Sequence, residues 1–148
     1  MKMQKRKWIL TAVILFTTMI SVLAQSRADQ IVGVWLTEDQ DARVEIYKTS
    51  DKYQGKIIWL LNPNDKKTGK PLLDTENKDA AKRSMPVLGL QIIRDLSFSD
   101  GQWKDGSIYD PESGKSYKAK IALADKNTLE MTGYIGMFGS TETWTRVK

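Results

Sequence analysis

Residues 117–135, YKAKIALADKNTLEMTGYI, alternate between apolar and polar side chains on both sides of a short turn. In the first half small or apolar side chains recur at every second position from Tyr117, and in the second half they recur from Leu129. A period of two places one face of a strand in a core and the other in solvent. The Asp-Lys-Asn segment 125–127 between the halves favours a turn. The stretch therefore predicts an antiparallel hairpin and points to an all-β fold.

The same alternation, interrupted by similar turns, recurs along most of the chain. It predicts eight strands, over residues 32–38, 42–48, 53–61, 90–98, 102–109, 115–123, 128–135 and 140–147. Short turns between consecutive strands favour an antiparallel up-and-down meander. An open sheet of eight strands exposes two unpaired edges, and closure into a barrel removes both. We therefore predict an eight-stranded antiparallel barrel, with a two-sheet sandwich as the alternative.

Residues 62–86 do not follow the strand pattern. They contain three of the four prolines, Pro63, Pro71 and Pro86, together with Asn-Asp and Thr-Gly pairs that favour turns. A connection of this length is usually functional or disordered. Within it, the composition of residues 75–83 allows a short helix with Thr75 as its N-cap. We predict a long loop or short helix at 62–86, near the mouth of the barrel.

The first 24 residues have the layout of a secretory signal peptide. Basic side chains within positions 2–7 precede an apolar stretch, 9–23, and a cleavage site is expected after Ala24, with a second choice after Ala28. The stretch is short for a spanning helix, which needs about 20 residues, and no cationic stop-transfer cluster follows it. We therefore predict an exported protein, periplasmic or secreted, with no membrane span after cleavage and a single domain over residues 31–148.

The composition removes several classes of function. The chain has no cysteine and no histidine, which excludes disulfides, thiolate metal sites, cysteine nucleophiles and histidine-based triads. Residues 25–148 carry 19 basic and 18 acidic side chains, without a basic stripe that is interleaved with aromatic residues. This distribution is not typical of a nucleic-acid-binding protein. We expect no nucleic-acid partner, no metal and no cofactor, and nothing in the sequence indicates an oligomeric state.

The first predicted strand contains a glycine and a tryptophan, and the last predicted strand contains an arginine. Gly33 and Trp35 form a Gly-x-Trp pattern, and Arg146 ends the segment Thr-Trp-Thr-Arg, residues 143–146. This combination resembles the lipocalin and fatty-acid-binding barrel superfamily. The resemblance implies that Arg146 packs across Trp35 and closes the base of the barrel.

Seven segments resemble the bacterial family called domain of unknown function 2147. They are GVWLTE (33–38), VEIYK (44–48), GKIIWL (55–60), RSMPVLGLQI (83–92), GSIYDPESGKSY (106–117), GYIG (133–136) and TETWTRV (141–147). They occur in the order of the family and nearly span residues 31–147. The resemblance implies a small, exported, eight-stranded lipocalin-like barrel, and it implies no established activity.

Two arginines are candidates for holding a ligand. Arg94 shares its strand parity with apolar residues such as Ile92, so we expect it to point inward, where a guanidinium binds a carboxylate or phosphate bidentately. The alternatives are an internal ion pair with Asp110 or Glu130, or a bulge that turns Arg94 outward. In fatty-acid-binding relatives a terminal-strand arginine holds the ligand head group, and this is the alternative role for Arg146.

The densest polar run lies between Tyr109 and Tyr117. Asp110 and Glu112 are two carboxylates in one turn beside these tyrosines, which suits an acid–base pair or a weak cation site. The simpler interpretation is turn chemistry, in which Asp110 caps the turn and Gly114 adopts the left-handed conformation. We favour the turn.

Aromatic side chains complete the candidate site. Trp59 and Trp103, with Tyr109 and Tyr117, are candidates for lining a ligand pocket, and core packing is the alternative. The leading function is non-catalytic binding of a small apolar or amphiphilic molecule in or at the mouth of the barrel, such as a fatty acid, lipid fragment or envelope metabolite. An envelope interaction protein with a filled barrel is second. A carboxylate- and tyrosine-based enzyme is third, and no residue is assigned a catalytic role.

Overall fold

The computed structural model describes residues 27–148 and shows a closed antiparallel barrel of eight strands. The strands are β1 (Gly33–Leu36), β2 (Ala42–Thr49), β3 (Lys52–Leu60), β4 (Gln91–Ser99), β5 (Gln102–Asp110), β6 (Lys115–Asp125), β7 (Thr128–Ile135) and β8 (Phe138–Arg146). Each strand pairs with the next along the chain, and β8 pairs with β1. The predicted up-and-down barrel is confirmed, and the sandwich alternative is wrong.

All eight strands lie within residues 31–148, which form a compact unit of their own. A short 3-10 helix, Asp29–Ile31, precedes β1. Among the described residues, no helix has the length and hydrophobicity that a membrane crossing would need. The predicted signal peptide, residues 1–24, lies outside the described residues.

The connections between strands are divided between the two ends of the barrel. The β2–β3, β4–β5 and β6–β7 turns lie at one end, which we call the closed end, and the other four connections lie at the open end. The β4–β5 turn has positive φ at both Asp100 (53°) and Gly101 (76°), as a tight two-residue hairpin turn requires. The open end carries the long β3–β4 connection, residues 61–90, which we call the strap.

The closed half of the barrel is filled by large side chains. Trp35, Trp103 and Trp144 are no more than 2% exposed, and Tyr53 meets Trp103 edge to face with ring centroids 6.3 Å apart. Aliphatic side chains occupy the space between these rings: Ile46, Ile93, Leu96, Ile121 and Leu129. Each such buried side chain contributes about 1.5–3 kcal/mol of hydrophobic stabilisation. This half is therefore the structural core.

Two bulges in β4 decide where Arg94 points. The register of β4 against β3 gains one residue between Gln91 and Ile93 and a second between Ile93 and Leu96. The second bulge contains Arg94 and Asp95, which are both exposed, and Asp95 has a positive φ of 58°. The expectation that Arg94 points into the barrel is therefore wrong, because a bulge interrupts the alternation on which it rested.

Side chains on the outer face stabilise this bulge. Gln54 donates from its amide nitrogen to Asp95 Oδ1 over 2.8 Å, and its amide oxygen accepts from the Asp95 N–H over 3.0 Å. On the other side of β4, a Cβ at Gly106 would overlap the carbonyl oxygen of Arg94. Glycine at this position therefore lets β5 approach the bulged backbone closely.

The strap is an ordered loop rather than a helix. It contains isolated antiparallel bridges between Asn64 and Pro71 and between Leu73 and Pro86. Its one helical turn is a 3-10 turn, Ala80–Lys82, capped by Asp79, so the loop alternative describes the segment and the helix that its composition allowed, capped by Thr75, does not form. Before this turn, the side-chain oxygen of Asn77 accepts from the Asp79 N–H, and such a local side-chain bond competes with helix formation.

Candidate functional site

The open half of the barrel contains a cavity of about 980 Å³ that opens to solvent. Small-molecule sites in proteins measure roughly 300–1,000 Å³, so the space is large enough for a ligand. Apolar side chains from five strands form its wall: Ala42, Val44, Ile57, Ile92, Ile108 and Met131. Val44 pairs across the strands with Trp35, so the filled closed half forms the floor of the cavity.

The strap contributes one side of the cavity. Leu72, Leu73 and Val87 line it, and the strap is joined to β3 where the Gly89 N–H donates to the carbonyl of Ile57 over 2.8 Å. Within the strap, the Val87 N–H donates to the carbonyl of Leu72 over 2.9 Å. These backbone bonds hold the apolar side chains of the strap against the interior of the barrel.

A buried carboxylate links the strap to the barrel wall. Asp74 is fully buried and accepts from Tyr109 Oη on β5 over 2.6 Å and from Asn77 Nδ2 over 2.6 Å. Burial, followed by the hydrogen bond to Asp74 and the charge of that carboxylate, raises the pKa of Tyr109 to about 12. Tyr109 therefore stays protonated at neutral pH and acts as a donor. Sequence reasoning missed Asp74, because its partner lies 35 residues away.

The turn between β5 and β6 has the turn chemistry described above. Asp110 Oδ1 accepts from the Glu112 N–H over 2.9 Å, and Gly114 has a φ of 66°. A Cβ on Gly114 would overlap the carbonyl oxygen of Glu76, so glycine also allows the strap to pack on this turn. Asp110 and Glu112 both line the cavity while holding these positions.

The arginine in the last strand lies at the closed end. Its guanidinium carbon is 4.1 Å from the centre of the Trp35 ring, its Nε donates to the carbonyl of Lys126 over 2.7 Å, and its Nη1 donates to that of Val32 over 3.0 Å. A Cβ on Gly33 would clash with Nη1, and burial lowers the pKa of the Arg146 guanidinium. Arg146 therefore caps the filled end of the barrel and does not line the cavity.

Of the six residues predicted to bind ligand, two line the cavity, namely Tyr109 and Tyr117. Trp103 belongs to the closed core. Trp59 lies on the outer face beside its strand partner Arg43, whose guanidinium carbon is 4.8 Å from the ring centre. Arg94 is exposed on its bulge, and Arg146 caps the closed end. Neither Arg94 nor Arg146 therefore lines the cavity.

Among the described residues, every charged residue that lines the cavity is acidic. The set is Asp39, Asp41, Glu76, Asp110, Glu112 and Glu142. Within residues 27–148, none of these carboxylates forms an ion pair with a lysine or arginine. In the same part of the chain, no group of three acidic side chains is close enough to hold a metal ion. The carboxylates are therefore distributed around the cavity rather than gathered at one point.

Among the six acidic residues that line the cavity, Glu142 is the one whose place on the inner face of a strand could be predicted from the sequence. It lies on β8 two residues before the buried Trp144 and opposite the buried Met131, so its parity places it on the inner face of the strand. Its Oε2 accepts from Trp144 Nε1 over 3.1 Å. The sequence reasoning singled out Asp110 and Glu112 and missed the other four carboxylates.

A closed eight-stranded meander, with an arginine stacked on a first-strand tryptophan at one end and a cavity at the other, defines a lipocalin-like fold. A family model described as an uncharacterized protein conserved in bacteria (DUF2147) matches residues 33–146, and the chain belongs to this family. Among solved structures, the chain is similar to protein HP1028 from Helicobacter pylori, which is described as belonging to the lipocalin family. The two are 23% identical over 80% of this chain and 83% of that one, with a TM-score of 0.68. No curated protein matches the sequence.

Proposed function

We propose that this protein binds one small, partly apolar molecule, without catalysis, in the cavity at the open end of its barrel. The observation that carries the proposal is the hollow open half, with a cavity of about 980 Å³ behind an apolar wall. A barrel filled throughout by its own aromatic side chains would favour a purely structural or interaction role. Here the three buried tryptophans, Trp35, Trp103 and Trp144, fill the closed half alone.

The arrangement of the wall supports binding of an amphiphile. The deep positions, such as Val44, Ile57 and Met131, are apolar and buried, whereas the carboxylates come mainly from loops and turns at the rim. Small-molecule sites commonly combine an apolar interior with a few polar groups that orient the ligand. The signal-peptide layout of residues 1–24 supports the proposal that this binding occurs in the periplasm or outside the cell.

The proposal is tested by methyl NMR with 1-decanol as a neutral amphiphile. Titration is expected to shift the methyl resonances of the cavity residues Ile57, Ile108 and Met131 with saturation at one molecule per chain. Ile58, whose side chain is exposed on the outer face of β3, serves as the internal control and is expected to stay in place. Absence of any saturable shift at the cavity methyl groups, or an equal shift at Ile58, would contradict the proposal.

A further inference from the structure

The charge of the cavity differs sharply from that of the chain. Residues 25–148 contain 19 basic and 18 acidic side chains, yet the six charged residues within 27–148 that line the cavity are all acidic. A concave site with low-dielectric walls and charges of one sign focuses the electrostatic potential and concentrates ions of the opposite sign. The nearly balanced composition does not account for the excess of acidic residues at the cavity. This excess is therefore a property of the site.

We infer that the ligand of this cavity carries a positive charge beside its apolar part, as an amphiphilic amine or quaternary ammonium compound does. The inference rests on the proposed function, since it specifies the chemical class that the same cavity takes. An anionic amphiphile such as a fatty acid would face only like charges there. The two arginines that were candidates for an anionic head group both lie outside the cavity.

Glu142 brings a carboxylate onto the barrel wall itself. Its neighbours on the inner face are the cross-strand Met131 and, along β8, Ser140 and Trp144. Its hydrogen bond from Trp144 Nε1 comes from a neutral donor, so the negative charge is not compensated by a cation within the described residues. A ligand whose apolar chain lies against Met131 would place a cationic group within reach of this carboxylate.

Aromatic side chains in the same cavity are a second observation, independent of the carboxylates. Tyr117 from β6 and Phe138 from β8 both line the cavity, and Phe138 is 82% exposed with its ring accessible. The faces of aromatic rings attract cations, and recognition of quaternary ammonium groups commonly uses them. A cavity that combines an apolar floor, aromatic rings and carboxylates that form no ion pair within the described residues is therefore suited to an organic cation.

The first experiment compares three amphiphiles with the same ten-carbon chain, each below its micelle concentration: decyltrimethylammonium, 1-decanol and decyl sulfate. Binding to the full protein is measured by calorimetry and by the methyl shifts of Ile57 and Met131. The cation is expected to bind at least about tenfold more tightly than the sulfate, and the difference is expected to shrink as salt increases. Equal or tighter binding of decyl sulfate would overturn the inference while leaving the proposed function intact. If none of the three shifts the cavity methyl groups, the proposed function itself fails.

The second experiment removes one charge without changing shape. Glu142→Gln keeps an oxygen acceptor for Trp144 Nε1, and the affinity for decyltrimethylammonium is expected to fall about threefold with that for 1-decanol unchanged. Glu130→Gln, on the outer face of the neighbouring strand, is the matched control. It is expected to leave the affinities for decyltrimethylammonium and for 1-decanol unchanged. Because one charge has a small effect, the double change Glu112→Gln with Glu142→Gln is measured as well. An unchanged ratio of cation to decanol affinity in the double variant would contradict the inference.

Discussion

Arg146 and Trp35 are direct cross-strand partners, and the Arg146 guanidinium lies 4.1 Å from the centre of the Trp35 ring. Their strands, β8 and β1, share a register of only two residue pairs, the second being Leu36 with Thr145. The pairing of β8 with β1 closes the barrel. It has fewer residue pairs than the pairing between any other two neighbouring strands. The stack of a guanidinium on an indole, with its bonds to loop carbonyls, adds side-chain contacts where backbone pairing is short.

We predict that Arg146→Lys lowers the free energy of unfolding by about 1–2 kcal/mol in the absence of ligand. Lysine keeps the charge but loses the planar stack on Trp35 and one of the two hydrogen bonds to backbone carbonyls. Urea unfolding followed by tryptophan fluorescence measures the change. Arg94→Lys, at an exposed position on the β4 bulge, is the matched control and is expected to stay within about 0.5 kcal/mol of the native protein. Equal losses in the two variants would show that the stack has no special role.

Trp35→Ala is expected to cost about 3–5 kcal/mol, the range for large aromatic side chains removed from a core. Trp35 is fully buried, and its Nε1 donates to the carbonyl of Ile31 over 2.8 Å. Denaturant unfolding provides the measurement, with Trp59→Ala on the outer face as a comparison that should lose less. A loss below about 1 kcal/mol for Trp35→Ala would mean that this ring is peripheral to the fold.

Removal of the Tyr109 hydroxyl tests how the strap is held. Tyr109→Phe leaves the buried Asp74 carboxylate with Asn77 as its remaining side-chain donor, which is expected to destabilise the protein by about 1.5–3 kcal/mol. The backbone amide of Asp74, which donates to Met85 within the strap, should then exchange its hydrogen faster. Tyr117→Phe, whose hydroxyl is 3.4 Å from Ser113 Oγ, is the control with little expected change. Unaltered exchange at Asp74 in Tyr109→Phe would show that this bond does not secure the strap.

The raised pKa of Tyr109 also predicts a pH dependence. Its value of about 12 in the folded protein exceeds the ordinary value of 10.0, so the folded state binds more protons than the unfolded state between these pH values. The stabilisation linked to this proton is fully present below pH 10 and is lost as the pH rises toward 12. Lysines titrate in the same window, so the quantity to measure is the stability difference between the native protein and Tyr109→Phe. This difference should decrease from pH 10 to pH 12, and a constant difference would contradict the assignment.

The fold was predictable because its determinants are local. Alternation of apolar side chains marks strands such as β2, β6 and β7, and turns such as Asp100-Gly101 separate the strands. The packing of Arg146 on Trp35 was implied by the resemblance to known barrels and not by the alternation. No local feature of these segments conflicts with the barrel, which is how consistent sequences specify a fold.

The site was less predictable because its determinants are distant in sequence. The bulge at Asp95 depends on Gln54, 41 residues earlier, and it reversed the expected direction of Arg94. Tyr109 finds Asp74 in a strap whose path no periodicity describes. Trp59 and Trp103 both occur in strand patterns, and only the three-dimensional register separates the outer face from the core. The strands that form the barrel were therefore easier to predict from one sequence than the side chains that line its cavity.

The most direct test of the central claim, that the open half of the barrel is a ligand site, uses Gly133→Trp. A Cβ at Gly133 meets Tyr117 Cβ at 3.7 Å and Ile108 Cγ2 at 3.8 Å, which are ordinary contacts, so the new indole can enter the cavity without strain at its first atom. Glu130→Trp introduces the same side chain on the outer face of the same strand and is the matched control.

The measurement is a titration with N-phenyl-1-naphthylamine, a neutral apolar compound that fluoresces when it leaves water. The native protein and Glu130→Trp are expected to bind one molecule with the same affinity, and Gly133→Trp is expected to bind at least about tenfold more weakly, a loss of ~1.4 kcal/mol, while remaining folded. Equal binding by folded Gly133→Trp and the native protein would contradict the claim.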